Sequence, residues 1–249
     1  MAFGDYLEAV KDELQGLDDT ALSIAFASLA EDNLVMIAVA AADGFTFDGT
    51  GYTELSGAAV VDGADEMKFY YKVAGASETL TVGATIDTSI RDRVMMGWEI
   101  EGPFDATPFD AIGSVSTKEA ASSSVECPTV TAVASSTVCV AMGYGETHND
   151  QTTGQMNSPG DNGFTFRDGC KAAASSESMA IIFATKLLSS AGAVGETRVQ
   201  FTDGASATAS IYHYGVQATF KEGGGGASGP VIPVETHGKI RKYRQLRAI

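Results

Sequence analysis

With 249 residues, 44% of them hydrophobic, the chain is long enough for one or two domains with a sizeable core. Its 32 acidic residues outnumber 16 basic ones, a net charge of −16, which opposes binding to nucleic-acid phosphates or to anionic membrane surfaces. No apolar run approaches the roughly 18 residues of a membrane span, and Cys127, Cys139 and Cys170 show no metal-type CxxC spacing and read as free thiols of a reducing interior.

The N-terminus MAFGDYLEAVKDEL has no basic segment followed by an apolar one, so no signal peptide is expected. Leu7, Val10, Leu14 and Leu17 recur at helical spacing with acids placed early, which predicts a short amphipathic helix within residues 1–19. From residue 20 to residue 220 the pattern turns to period-two or continuous apolar runs, broken by turn-forming clusters such as Asp48-Gly49 and Asn162-Gly163. These runs form two series in the same order. Residues 33–41 (NLVMIAVAA), Gly51-Tyr52-Thr53, 68–73 (KFYYKV), 78–82 (ETLTV) and 93–100 (RVMMGWEI) make the first. Residues 137–142 (TVCVAM), Gly163-Phe164-Thr165, 180–187 (AIIFATKL), 196–201 (ETRVQF) and 207–216 (ATASIYHYGV) make the second. The offset is 104 residues at the start and 112 to 118 afterwards. The expected fold is all-β: a single β-sandwich of jelly-roll or concanavalin-like type over 20–220, its halves spanning about 20–104 and 125–220.

Pro103 and Pro108 would interrupt a central strand, so the segment from 105 to 124 should wrap an edge or cross between sheets. Beyond it the second series runs to residue 220, and residues 221–249 read as a Gly-rich linker with a basic C-terminal arm. Lys239, Arg241, Lys242, Arg244 and Arg247 give the last eleven residues a charge of +5. The other 11 basic and all 32 acidic groups leave −21 on residues 1–238. Ile240, Tyr243, Leu246 and Ile249 add an apolar stripe, so the arm is expected to dock on a neighbouring copy or on another protein of an assembly.

Catalytic signatures are missing: there is no GxSxG elbow, HExxH or Walker loop. The GxGxxG match at Gly224, Gly226 and Gly229 runs into Pro230, with no helix to present to phosphate. Glu146, His148 and Asp150 share a polar loop but lack a recurring metal-ligand geometry, so neither metal nor cofactor is expected. His213 reads as a hydrogen-bonded strand residue. Trp98, with Tyr214 as its expected counterpart in the second series, reads as a core filler. Tyr52, Tyr70 and Tyr144 are the aromatics that could face a glycan.

The stretches DNLVMIAVAAADG (32–44), GYTEL (51–55), FYYKVAGASETLTV (69–82) and WEIEGPFDATPFDA (98–111) resemble a diffuse group of phage and metagenomic virion proteins. Members of that group read D-L-L-V-A-F-V, G-W-T-L, F-Y-K-V-A, T-F-T and Y-R-G…P-I-D. The chain departs from the pattern in carrying Gly51-Tyr52 where Gly-Trp is usual, and in its basic arm. The resemblance covers residues 20–220 and implies a virion protein made in the host cytoplasm: a capsid decoration, head fibre, collar, neck or tail accessory protein. The expected role is structural and non-enzymatic, with copies of itself and other virion proteins as partners. The alternatives are a carbohydrate-binding module for the host surface and, lower in rank, a glycan-cleaving enzyme. Nucleic acid and membrane insertion are not expected.

Overall fold

The computed structural model describes residues 2–14, 20–42, 44–62, 65–87, 93–116, 124–147, 151–156, 162–173, 178–203 and 212–224. Among them every regular element is a strand. The first half holds β1 (Tyr6–Leu14), β2 (Ala21–Ala25), β3 (Leu34–Ala42), β4 (Phe45–Phe47), β5 (Thr53–Glu54), β6 (Val60–Asp62), β7 (Asp65–Val73), β8 (Thr81–Ile86) and β9 (Arg93–Ile100). The second holds β10 (Phe104–Ile112), β11 (Ser124–Cys127), β12 (Val130–Ala132), β13 (Thr137–Thr147), β14 (Gln151–Met156) and β15 (Thr165–Ala173). It ends with β16 (Ser178–Leu188), β17 (Gly192–Val194), β18 (Thr197–Asp203) and β19 (Tyr212–Glu222).

The two halves repeat one topology. A large antiparallel sheet runs β1-β9-β3-β7-β5 in the first, with β6 also on β7, and β10-β19-β13-β16-β15 in the second. A smaller sheet runs β2-β8-β4 in the first and β11-β18-β14 in the second, where β12 and β17 form an added pair. Residue registers agree. Leu34, Met36, Ala38 and Ala40 of β3 lie 104 positions before Val138, Val140, Met142 and Tyr144 of β13, and all eight share one core. Phe69 pairs with Ala38, and Phe183, 114 positions later, pairs with Met142.

Three cores divide the molecule into four layers rather than the two of a single sandwich. Between the large sheets, residues of β3, β7 and β9 meet those of β13, β16 and β19, with Trp98 stacked on Phe183 at 4.3 Å and 14°. Behind the first large sheet, Val35, Ile37 and Val39 pack on Leu22, Ile24, Val82 and Ala84 of the small sheet. Behind the second, Cys139, Ala141 and Ile182 pack on Val125, Cys127 and Val199. The single β-sandwich expected over residues 20–220 is therefore corrected: each half is a sandwich of its own, and the two halves close the central core together. Strand β3, whose residues 34–41 are all buried and apolar, needs a cover on each face. Every large side chain so enclosed contributes roughly 1.5–3 kcal/mol.

The predicted N-terminal helix is corrected too: residues 6–14 are β1. The central strand β9 carries hydrogen-bonding groups along both edges, and β3 satisfies only one; β1 takes the other from Tyr6↔Ile100 to Leu14↔Arg93. A helix this short gains little by itself. The polar residues of β1 then reach neighbouring strands from both faces. Lys11 Nζ donates to Asp168 Oδ1 and to the Gly169 carbonyl, both at 2.6 Å, while the Lys171 N–H donates to Glu13 Oε1 at 2.9 Å. On the opposite face the Ser23 N–H donates to Asp12 and the Ala27 N–H to Glu8. These bonds occupy edge groups of β15 and β2 that would otherwise invite another strand.

The segment after Pro103 takes the place of β1 in the second half. Strand β10 lies at the sheet edge beside β19, with register shifts around Phe109 and with Pro108 inside it, as an edge strand allows. The register also moves the expected partner of Trp98. Met36 pairs with Trp98 and Val140 with Ala218, so the counterpart is Ala218 and not Tyr214.

Candidate functional site

The sequence repeat of Gly51-Tyr52 and Gly163-Phe164 becomes a three-dimensional motif present twice. In the first half the turn after β4 runs Asp48-Gly49-Thr50-Gly51-Tyr52 and is clasped by Lys72 of β7. Lys72 Nζ donates to the Thr50 carbonyl at 3.2 Å and lies 5.5 Å from the Tyr52 ring centroid. In the second half Lys186 of β16 donates to the Asn162 carbonyl at 2.6 Å and lies 5.8 Å from the Phe164 ring. Gly51 and Gly163 both adopt φ +79°, the left-handed conformation that glycine enters without strain. That conformation turns the preceding carbonyl towards the ammonium and sets the following ring beside it.

Around this shared clasp the two copies differ. In the first, Glu78 Oε1 accepts from Lys72 Nζ at 2.7 Å and from the Thr79 N–H at 3.0 Å, while Oε2 accepts from the Gly75 N–H at 3.3 Å. Burial acts to raise the Glu78 carboxyl, but hydrogen bonds from Lys72, Gly75 and Thr79 and the lysine charge outweigh it, holding the group below its ordinary value. In the second copy the loop is tied differently: the Asn162 amide donates to the Glu196 carbonyl.

Tyr52 carries the sharper difference. Phe47 presents its edge to the Tyr52 ring (5.6 Å, 88°) and stacks on Tyr70 (3.9 Å, 14°). Gly49 leaves room for that ring, since an added Cβ would stand 2.4 Å from the tip of Phe47, which would have to shift. The Tyr52 hydroxyl is sealed from solvent and has no hydrogen-bond partner among the described residues. Burial first, and the Glu78 charge second, push its phenol well above the ordinary range. A buried hydroxyl left without a partner costs about 1–3 kcal/mol. Phe164, in the same place in the second copy, has no hydroxyl at all.

Beside Tyr52 opens a cleft of about 340 Å³, bordered by Asp48, Tyr52, Lys72, Glu78, Thr79 and Thr81. The lysine is ion-paired, the phenol stays protonated at neutral pH, and the remaining atoms are hydrogen-bond donors and acceptors around an aromatic wall.

No family model, curated protein or solved structure matches this chain. The two copies within it are therefore the comparison that bears on the site.

The residues singled out from the sequence are dispersed. Of the three candidate glycan-facing tyrosines, Tyr52 borders the cleft described above. Tyr70 is buried at 8% exposure behind Phe47, and burial raises its phenol to about 12. Tyr144 is 2% exposed in the central core, 6.5 Å from Tyr214, so an exposed aromatic platform built from the three is corrected. His148 and Asp150 lie outside the described residues, as does the Glu146 side chain. No group of three His, Cys, Asp or Glu able to hold a metal occurs among the described residues. The arm residues Lys239, Ile240, Arg241, Lys242, Tyr243, Arg244, Leu246, Arg247 and Ile249 also lie outside them. His213 is buried in β19, and desolvation lowers its imidazole to about 3. The three cysteines are buried and form no disulfide with one another, and burial raises the thiols of Cys139 and Cys170.

Sequence reasoning missed Phe47, Asp48, Lys72 and Glu78. A signal was there: the aligned Gly51-Tyr52 and Gly163-Phe164 are each followed, about twenty residues on, by a strand lysine, Lys72 or Lys186.

Proposed function

We propose that this protein is a non-enzymatic structural component of a bacteriophage virion, a capsid decoration, head fibre, neck or tail accessory protein held by symmetric assembly contacts. One observation carries the reading: charge is segregated along the chain, with −21 on residues 1–238 and +5 on the last eleven. A cationic, partly apolar peptide on a glycine tether is complementary to the acidic body of a neighbouring copy. In a symmetric particle many such modest contacts add to firm retention. The resemblance of residues 20–220 to virion proteins supports the same reading. The protein is then made in the host cytoplasm, with copies of itself and capsid, neck or tail proteins as its partners.

Light scattering on the full chain and on a chain ending at Gly224 tests this. The shorter chain keeps all nineteen described strands and the Gly223 N–H bond to the Pro103 carbonyl. The full chain is expected to associate and the shorter one to be monomeric. Equal association of both would remove the arm from the assembly.

A second reading, recognition of a host-surface glycan by the same virion protein, is favoured by the cleft beside Tyr52.

A further inference from the structure

We propose that the basic arm of one copy, residues 239–249, docks on a second copy at the end of the central core where β1 begins and β19 ends. There Leu187 stands exposed within a rim of acids. The inference rests on the assembly reading and adds to it the surface that receives the arm.

Backbone hydrogen bonds tie four segments together at this end. The Gly4 N–H donates to the Glu101 carbonyl at 2.9 Å, and the Glu101 N–H to the Asp5 carbonyl at 2.8 Å. The Phe104 N–H donates to the Asp32 carbonyl and the Gly223 N–H to the Pro103 carbonyl, both at 2.9 Å. The Glu222 N–H reaches the Ser136 carbonyl just before β13, whose Val138 pairs with Leu187. Phe3 covers Phe104 with ring centroids 4.9 Å apart. Gly4, at φ +85°, passes so close to Leu187 that a Cβ there would stand 3.0 Å from its Cδ1. Leu187 still keeps 58% of its surface in solvent, beside the half-buried Phe3. Around this apolar spot, segments 2–5, 30–33, 101–105 and 221–224 carry Asp5, Glu31, Asp32, Glu101, Asp105 and Glu222 against one base, Lys221. Lys221 lies 3.8 Å from Asp105, and the four segments remain negative by five charges.

The arm matches this surface in both respects. Its charge of +5 opposes that of the four segments, and Ile240, Tyr243, Leu246 and Ile249 offer apolar cover for Leu187 and Phe3. An apolar contact ringed by opposite charge is the usual layout of a protein interface. Length permits the exchange. Residues 225–238 separate Gly224 from the arm, and a glycine-rich chain of that length spans about 20 Å on average and at most about 50 Å when straight. The root of the arm and the surface that receives it share one end of the molecule, since Gly223 is bonded to Pro103. Two copies with these ends facing therefore exchange arms and close as a pair. A root and a site at opposite ends would instead propagate an open chain.

The test uses the full chain. Isotope-labelled and unlabelled copies are mixed in about 1 M salt, which screens the charges, and returned to low salt for zero-length carbodiimide cross-linking. Lys239 or Lys242 is expected to join Asp5, Glu101, Asp105 or Glu222, in cross-linked pairs that combine the two labels. By light scattering, Glu101→Lys together with Glu222→Lys should weaken association about tenfold, and Leu187→Asp likewise, with melting temperatures near the parent's. The same change of charge away from this end, Glu54→Lys with Asp87→Lys, should weaken it far less. The proposal is overturned if the cross-links are absent or settle elsewhere on the body, or if they join only like-labelled chains, which would place each arm on its own copy. It is overturned equally if Glu101→Lys with Glu222→Lys associates like the parent. A variant that melts far below the parent leaves the decision to the cross-links, which need no substitution. In each failure a chain ending at Gly224 that stays monomeric keeps the assembly reading standing, whereas association of that shorter chain removes both.

Discussion

The two halves share a strand order and a lysine clasp but solve one local problem in different ways. The loops before β3 and before β13, its counterpart in the second half, present backbone N–H groups, at Ala30 in the first and at Val133 and Ala134 in the second. In the first half Glu99 of β9 takes the Ala30 N–H at 3.0 Å and the Asn33 amide at 2.7 Å. In the second, the position of Glu99 is occupied by Thr219, and the carboxylate comes from the neighbouring strand: Asp110 of β10 takes Val133 and Ala134 at 2.8 and 3.0 Å. Thr219 Oγ1 donates to that carboxylate at 2.9 Å. The need for an acceptor at this loop persists while the strand that supplies it changes, so the backbone demand, rather than any one side chain, is the constant of the repeat.

The largest expected effect lies on the seam between the halves. Trp98→Ala empties a fully buried site against Phe183 and should cost about 3–5 kcal/mol in urea unfolding. A loss under 1 kcal/mol would mean that the seam is not packed as described. Close backbone approaches come next. A Cβ at Gly215 would lie 2.2 Å from the Glu126 carbonyl oxygen, whereas one at Gly97 would meet the side-chain tips of Ile24 and Phe26 at 2.7 Å. Gly215→Ala should therefore destabilise more than Gly97→Ala, which side-chain movement can relieve. Equal melting temperatures for the two variants would refute the distinction.

A smaller effect separates the halves by pH. Ala41 pairs with Arg93 and Gly145 with His213, so the repeat places a fully buried base at the same register position in each half. His213, lowered from 6.5 to about 3 by desolvation, is neutral in the fold while the unfolded chain protonates. Its contribution is full above pH 6.5 and is lost as pH falls towards 3, with a slope of up to about 1.4 kcal/mol per pH unit. Unfolding curves at pH 7 and pH 4 should show this loss in the parent and a flatter response in His213→Gln. An identical response in both would exclude the histidine. Smallest is the clasp pair: Lys72→Met strands Glu78 at part burial, whereas Lys186→Met removes a bond to a carbonyl. The first should cost about 1 kcal/mol and the second less, both by thermal melts.

The repeat was legible because strand faces recur at constant offset, and the clasp glycines stand 112 residues apart with an aromatic after each. The four layers were legible in principle. Residues 34–41 are apolar without alternation, which is how a strand covered on both faces reads, yet the run fits equally well into a single sandwich. The N-terminal strand was not legible. Leu7, Val10 and Leu14 fall at helical spacing, and the reason they are extended lies in the unpaired edge of β9, distant in sequence. Glu78 was hidden for a similar cause: its partner sits six residues back, across a turn that puts the two side chains together.

The central core has one more consequence. Its two faces belong to halves that would each form a sandwich with an apolar back, the arrangement of a dimer of single repeats. Here the pair is one polypeptide, so each half meets the other at an effective concentration fixed by the connection and not by the amount of protein present. Dilution, which separates subunits, leaves this seam closed. And because the halves no longer need to be identical, one clasp is free to diverge while the other keeps the scaffold.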